Sequence, residues 1–267
     1  VTEITADEVS EDNFDEVFDG TGMVAMPGMT DAHVHMGCLF AKGEFPVDYA
    51  TVPTVTKCKD ALMAGFTTFR DAGSVSEGLK LAFDEGVLPG PRIYPCGAYI
   101  SQTCGHGDSE YAHTYRDIQY RHPSSAVLAD GVPEIIRAVR EQFYRGASHI
   151  KLMATEILNR HEDIRLLFGT DMMITRPDYQ VEQSEDIRYY EKRFGTMRAL
   201  RALTGTANEV FALTTYQNPY PKGKIGVLEA GAFADLLLVD GDPTKSVSVL
   251  ADTDHLRLIM KGGTVYK

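Results

Sequence analysis

Apolar and polar positions follow two distinct textures along this chain. Through the middle, short β-branched and aromatic runs alternate with longer stretches whose apolar residues recur at helical spacing. Phe66-Thr67-Thr68-Phe69-Arg70-Asp71 reads as a strand, preceded by a helix over 55–63, and residues 92–100 read as a further strand. Residues 133–144 carry Ile135, Ile136, Val139 and Phe143 at helical spacing, and Gly146 stands where that helix should stop. Residues 148–153 form a strand with a lysine in it. Residues 164–171 form another that ends on a carboxylate, and a long helix is predicted over 185–203. This alternation favours an α/β fold with a parallel sheet and crossover helices.

The two ends differ from the middle and match each other. Asp19-Gly20 and Thr21-Gly22 punctuate short apolar runs before Pro27, Ala234 to Pro243 reads as a strand and tight turn, and Leu256 to Tyr266 as two strands around Gly262-Gly263. The terminal segments are predicted to pair into one small sheet. The expected organisation is a small β domain from residues 1–27 and 221–267, flanking a larger domain over 28–220.

Composition narrows the possibilities. A length of 267 residues with 43% hydrophobic content suits one α/β domain with a small companion and a real core. The net charge of −12 argues against nucleic-acid and anionic-membrane partners, which need basic surface. No apolar run approaches the roughly 18 residues of a membrane span. No secretory leader is visible after Val1, although a start without Met leaves the true N-terminus open. Cys38, Cys58, Cys96 and Cys104 have neither C-x-x-C nor zinc-ribbon spacing and read mainly as buried small hydrophobes, with a disulfide as the minor alternative.

Candidate chemistry begins at Thr30-Asp31-Ala32-His33-Val34-His35-Met36-Gly37. Histidines two apart on a strand share one face, where two imidazoles can grip one metal ion. This stretch resembles the first-strand motif of the amidohydrolase superfamily, metal-dependent hydrolases built on a (β/α)8 TIM-like barrel. Gly146-Ala147-Ser148-His149-Ile150-Lys151-Leu152-Met153-Ala154 is similar to that superfamily's fourth-strand signature. There the resemblance implies a lysine carboxylated to a carbamate that bridges two metal ions. Gly169-Thr170-Asp171 resembles its eighth-strand motif, which makes Asp171 a metal ligand and proton shuttle. Taken alone, a lysine in a strand also fits a side chain snorkelling to solvent, and an Asp after Gly-Thr also fits a helix N-cap.

Smaller matches point to a branch. Ser101-Gln102-Thr103-Cys104-Gly105-His106-Gly107-Asp108 resembles a loop of the branch that holds Xaa-Pro dipeptidases, related carboxypeptidases and ochratoxin-type amidases, which makes His106 a candidate substrate contact. Arg70-Asp71-Ala72-Gly73 resembles that branch's second-strand end, with Asp71 as a supporting partner of the ligands. Residues 223–235 are similar to a segment widespread in the superfamily and mark the small domain, a β-sandwich.

The family pattern also asks for two histidines on the fifth and sixth strands. Only about 19 residues separate Lys151 from Asp171, less than one βα unit of roughly 30 residues. His113, His122, His149, His161 and His255 all lie in the wrong context. About three βα units are therefore missing, and the barrel is expected to be incomplete, with a break in the backbone between Met153 and Arg160.

The resemblance implies an enzyme that hydrolyses an amide or peptide bond of a small substrate, such as an Xaa-Pro dipeptide or N-acyl amino acid. It implies two divalent ions, Zn2+ first, held by His33, His35, Lys151 and Asp171, with metal-bound hydroxide as nucleophile. A homo-oligomer is the expected assembly. A cyclic-amide hydrolase of the same superfamily and an inactive remnant are the alternatives.

Overall fold

The computed structural model describes residues 1–36, 47–74, 76–105, 107–108, 126–152, 165–173 and 179–267. Strands β1 (Val24–Pro27) and β2 (Met29–His35) lead into helix α1 (Val47–Met63), β3 (Phe66–Asp71) and α2 (Glu77–Asp84). Then come β4 (Arg92–Tyr94), β5 (Tyr99–Ser101), β6 (Ala126–Leu128), α3 (Val132–Tyr144) and β7 (Met172–Met173). Helices α4 (Tyr179–Phe194), α5 (Thr196–Leu203) and α6 (Gly205–Phe211) precede β8 (Leu236–Val239), β9 (Leu256–Lys261) and β10 (Thr264–Val265).

The middle of the chain builds parallel sheet, as its alternating pattern predicts. One sheet runs β4-β3-β2-β7 with every pair parallel, and a second pairs β5 with β6. The chain turns at Pro95 to Gly97, so the single strand expected over 92–100 is two, each in its own sheet. Residues 148–152 are not a full strand: they touch β5 through an Ile100–Leu152 bridge and one bond from Ile100 N to the Lys151 carbonyl at 2.9 Å. Among the described residues these strands do not close into a barrel. The expected break between Met153 and Arg160 lies outside them.

The helices depart from the sequence pattern in two instructive ways. The helix expected over 185–203 starts earlier, at Tyr179, and breaks at Gly195 into α4 and α5. On α3, Ala138 and Gln142 are buried whereas Ile135 and Ile136 are exposed. Among the described residues that helix packs against a sheet two strands wide, which covers less of its apolar face than a continuous sheet would. No described helix is long and apolar enough to cross a membrane.

The termini do form one sheet, antiparallel throughout in the order β1-β8-β9-β10, although residues 17–22 add no strand. Its inner residues Leu237, Val239, Leu256 and Ile259 share a single hydrophobic cluster with Phe66, Phe69 and Phe168 of the parallel sheet's surroundings. A buried ion pair reinforces that junction. Arg92 Nη1 donates to both Asp235 oxygens at 2.6 and 2.5 Å, and Gly262 N donates to Asp235 Oδ1 at 2.7 Å. The buried Lys261 amine donates to the Gly90 carbonyl at 2.5 Å. Cys58 and Cys96 are buried free thiols, as expected, while Cys104 is free and exposed.

Removing one partner from this pair leaves the other charge buried and uncompensated. Asp235→Ala should therefore lower the unfolding free energy by about 3–5 kcal/mol in denaturant melts; a loss under about 1 kcal/mol would show the pair to be dispensable. Burial also pushes the Lys261 amine down to about 8 from 10.5. The unfolded chain thus binds the extra proton between those values, so wild-type stability is lowered below pH 8 and recovers toward pH 10.5. The unfolding free energy of wild type minus that of Lys261→Met should rise over that window, and a flat difference would contradict the assignment.

Candidate metal centre

Period-two alternation on β2 puts His33 and His35 on one side. Asp171 meets them there from an irregular segment just before β7, where the sequence pattern predicts a strand over 164–171. His33 Nε2 lies 2.9 Å and His35 Nε2 3.2 Å from Asp171 Oδ1. Their ligand atoms all fall within 4.8 Å of one another. Lys151 Nζ stands 3.0 Å from His33 Nε2. Four residues predicted from separate motifs are therefore neighbours in space.

The convergence rests on how residues 168–171 run beside β2. Ala32 N donates to the Phe168 carbonyl at 2.8 Å, and Asp171 N to the His33 carbonyl at 2.7 Å. A side chain at Gly169 would prevent this approach, since its Cβ would fall 2.7 Å from His33 Cβ. Asp171 then takes φ 54°, the left-handed region that few residues other than glycine occupy. Such strain concentrates at functional positions. Here it accompanies the return of the carboxylate toward the two imidazoles.

Three supporting groups lock the arrangement, and the first escaped the sequence reading. Asp31 is fully buried and accepts from Thr170 Oγ1 at 2.9 Å, Gln183 Nε2 at 3.2 Å and His33 N at 3.2 Å. It clips β2 to the Asp171 turn and to α4 together. Burial raises its carboxyl to about 6 against the pull of those donors. Its only signal in the sequence is a carboxylate inside a short, mostly buried strand that also carries the two histidines. Asp71, anticipated as a supporting residue, accepts from Ser74 Oγ at 2.5 Å and shapes the turn whose Gly73 carbonyl lies 3.4 Å from His35 Nδ1. That contact leaves His35 Nε2 facing Asp171. Gly73, at φ 137° with Tyr99 against it, has no room for a Cβ.

The electrostatics favour neutral imidazole at the first histidine. Burial, and then the Lys151 ammonium, hold His33 down at about 4. His149 is fixed elsewhere, with Nε2 donating to the Asp71 carbonyl at 3.0 Å and Nδ1 2.9 Å from Ser148 Oγ. His255 bonds the Asp240 carbonyl in the terminal sheet. His106, His113, His122 and His161 lie outside the described residues.

The donor set suits a divalent ion. Two neutral imidazoles and a carboxylate are ordinary zinc ligands, and bonds of about 2.0–2.1 Å in a tetrahedral shell set ligand atoms roughly 3.3 Å apart. The His33–Asp171 and His35–Asp171 spacings of 2.9 and 3.2 Å are close to that value.

Comparison with known proteins agrees with this geometry. The description of the amidohydrolase family matches residues 24–163, more than half of the chain. The chain belongs to the amidohydrolase family. This bears out the resemblance read from the strand of His33 and the strand of Lys151. An ochratoxinase from Aspergillus niger is 36% identical over 152 residues, 49% of this chain and 31% of its own length. The match thus spans less than a third of that curated relative. Among solved structures, an amidohydrolase superposes with a TM-score of 0.84 at 21% identity, covering 99% of this chain and 91% of its own. A prolidase complexed with N-methylphosphonate-L-proline gives 0.82 at 23%, covering 100% and 92%. At these identities the likeness is one of fold, and this amidohydrolase chain shares their mixed α/β architecture.

Gly169→Ala should destabilise the fold by about 1–3 kcal/mol, because the new methyl must displace β2. Gly78, helical in α2 with open space around it, is the control. Gly78→Ala should raise stability by about 0.4–1 kcal/mol. Equal effects of the two substitutions in thermal or urea unfolding would remove the close-approach argument.

Proposed function

We propose that this chain is a metal-dependent hydrolase that cleaves an amide or peptide C–N bond of a small substrate. The observation that carries the reading is the meeting of His33, His35 and Asp171 around one point, with Lys151 3.0 Å from His33. His33, His35 and Asp171 would hold a divalent ion, zinc first. Lys151, once carboxylated, would present an oxygen anion to a second ion in place of a cation. Residues 28–220 would form the incomplete (β/α)8 barrel of this family, and residues 1–27 with 221–267 its small β domain.

A bound divalent ion supplies Lewis acidity toward a substrate carbonyl and makes water more acidic. The protein's own groups do the rest. The Gly73 carbonyl at His35 Nδ1 favours the tautomer that leaves the Nε2 lone pair on the side of Asp171, where it would be able to ligate. Asp171 directs Oδ1 between the imidazoles, and its carboxylate takes the proton from the attacking water and delivers it to the leaving nitrogen. Desolvation holds His33 neutral and therefore able to ligate.

The relatives support a substrate class. Ochratoxinase, a prolidase with a bound proline derivative and an Xaa-Pro dipeptidase with bound methionine support a dipeptide or N-acyl amino acid. His106 would contact that substrate. The exposed Val132, Ile135 and Ile136 of α3 support a homo-oligomer joined through that face.

The test is a zinc titration of the chelated full chain, followed by a hydrolysis screen of Xaa-Pro dipeptides and N-acyl amino acids. Wild type should bind zinc and regain turnover; Asp171→Asn should lose about 10²–10⁴-fold in rate. A chain that takes up no zinc would instead support a non-catalytic binding or assembly subunit.

A further inference from the structure

The basic side chain that the metal reading does not use is Arg70, at the end of β3. Its Nη1 donates to the Ala32 carbonyl at 3.2 Å, and among the described residues no carboxylate pairs with it. A guanidinium has five N–H donors, so one carbonyl leaves most of them idle. Burial penalises its charge, and among the described residues no Asp or Glu carboxylate lies against it to offset that penalty; the neighbouring Cys96 opposes it in part. A charge kept in this condition calls for an anion that arrives from outside.

Arg70 opens onto a cavity of about 370 Å³. Ser148 and His149 line it, and Thr215 and Gln217 add a hydroxyl and an amide. No Asp or Glu side chain lines it, although acids outnumber bases by 38 to 26 in the whole chain. Apart from Thr214, the rest of the wall is apolar or aromatic, with Phe143 partly buried and Leu213 and Tyr216 exposed. Thr215 is held at φ 48°, an unfavourable backbone for a β-branched residue, in the segment that closes this wall. None of His33, His35, Lys151 or Asp171 lines the cavity.

We propose that this cavity binds an apolar monocarboxylic acid, its carboxylate on the Arg70 guanidinium and its hydrocarbon body between Phe143, Leu213 and Tyr216. The planar fork of arginine matches the two oxygens of a carboxylate. The apolar wall excludes small hydrated anions as the preferred ligand, because they would leave it uncovered. The His149 ring cannot compete for the ligand's charge, since its Nε2–H is already committed to the Asp71 carbonyl. The site stands apart from the metal reading and succeeds or fails without it.

The experiment is calorimetric titration of the full chain with 4-phenylbutyrate and with 4-phenylbutyramide, both in excess chelator so that no metal contributes. The acid should bind at least about tenfold more tightly than the amide, since only it can use the charge-assisted pair. Arg70→Met should remove that preference and leave the weak amide binding in place. Its unliganded unfolding midpoint should not fall, because a half-buried cation with no carboxylate partner among the described residues is lost and only one hydrogen bond with it. Should Arg70→Met fail to fold, Arg70→Lys keeps the charge without the fork and should bind the acid with intermediate affinity. Equal affinity for acid and amide, full acid binding by Arg70→Met, or no binding at ~10 mM acid would each overturn the proposal.

Discussion

Ala32 N on the Phe168 carbonyl and Asp171 N on the His33 carbonyl join two parallel segments that are far apart in the chain. Asp31 and Thr170, bonded across the same seam, are 139 positions apart. Closing so long a loop costs entropy that local structure cannot repay. The repayment is burial: Phe168 and Val34 are both wholly inaccessible, in a cluster that also takes in Ile187 of α4 and Leu203 of α5. The candidate metal centre is a consequence of that packing. Once residues 168–171 lie against β2 without an intervening side chain at Gly169, the Asp171 carboxylate comes within reach of the two imidazoles.

The same seam explains why so much of the site could be read from the sequence. His33 and His35 are two residues apart on a strand, so their shared face is a local matter. The His-x-His, Lys151 and Gly-Thr-Asp motifs are each compact, and the alternation of strands and helices implies a parallel sheet that gathers strand ends. The strand over Phe66–Asp71, the helix through Tyr144 and the pairing of the two termini followed from periodicity and turn residues alone.

What escaped is what depends on tertiary surroundings. Asp31 looks like a misplaced charge until Thr170 and Gln183 are brought to it, and nothing local foretells those donors. Ile135 and Ile136 have helical spacing, but burial needs a partner surface, and α3 meets too little sheet to cover them. The strand expected over 92–100 fails because apolar content alone does not reveal the turn at Pro95 to Gly97, which sends Tyr94 and Tyr99 into different sheets. Helix α4 ends at Gly195 although the apolar pattern runs on, because pattern records which face is buried and not where the axis bends.

Charge distribution ties these observations together. The chain carries −12 overall, yet the space around β2 and β3 gathers Arg70, Lys151, His33, His35 and His149. The carboxyls buried beside them, Asp31 and Asp71, are both pushed upward by desolvation, which weakens the counter-charge they offer. Among the described residues, Asp171 is the one carboxylate there that reaches solvent, its side chain 69% exposed. Neutral histidines relieve part of the imbalance, since desolvation holds His33 and His149 down at about 4 and about 3. Arg70 remains as a cation with no carboxylate against it among the described residues, whereas Lys151 stands 3.0 Å from His33. The carbamate proposed on the Lys151 amine and the carboxylate proposed on the Arg70 guanidinium would each bring negative charge to this part of an acidic protein, by routes that do not depend on one another.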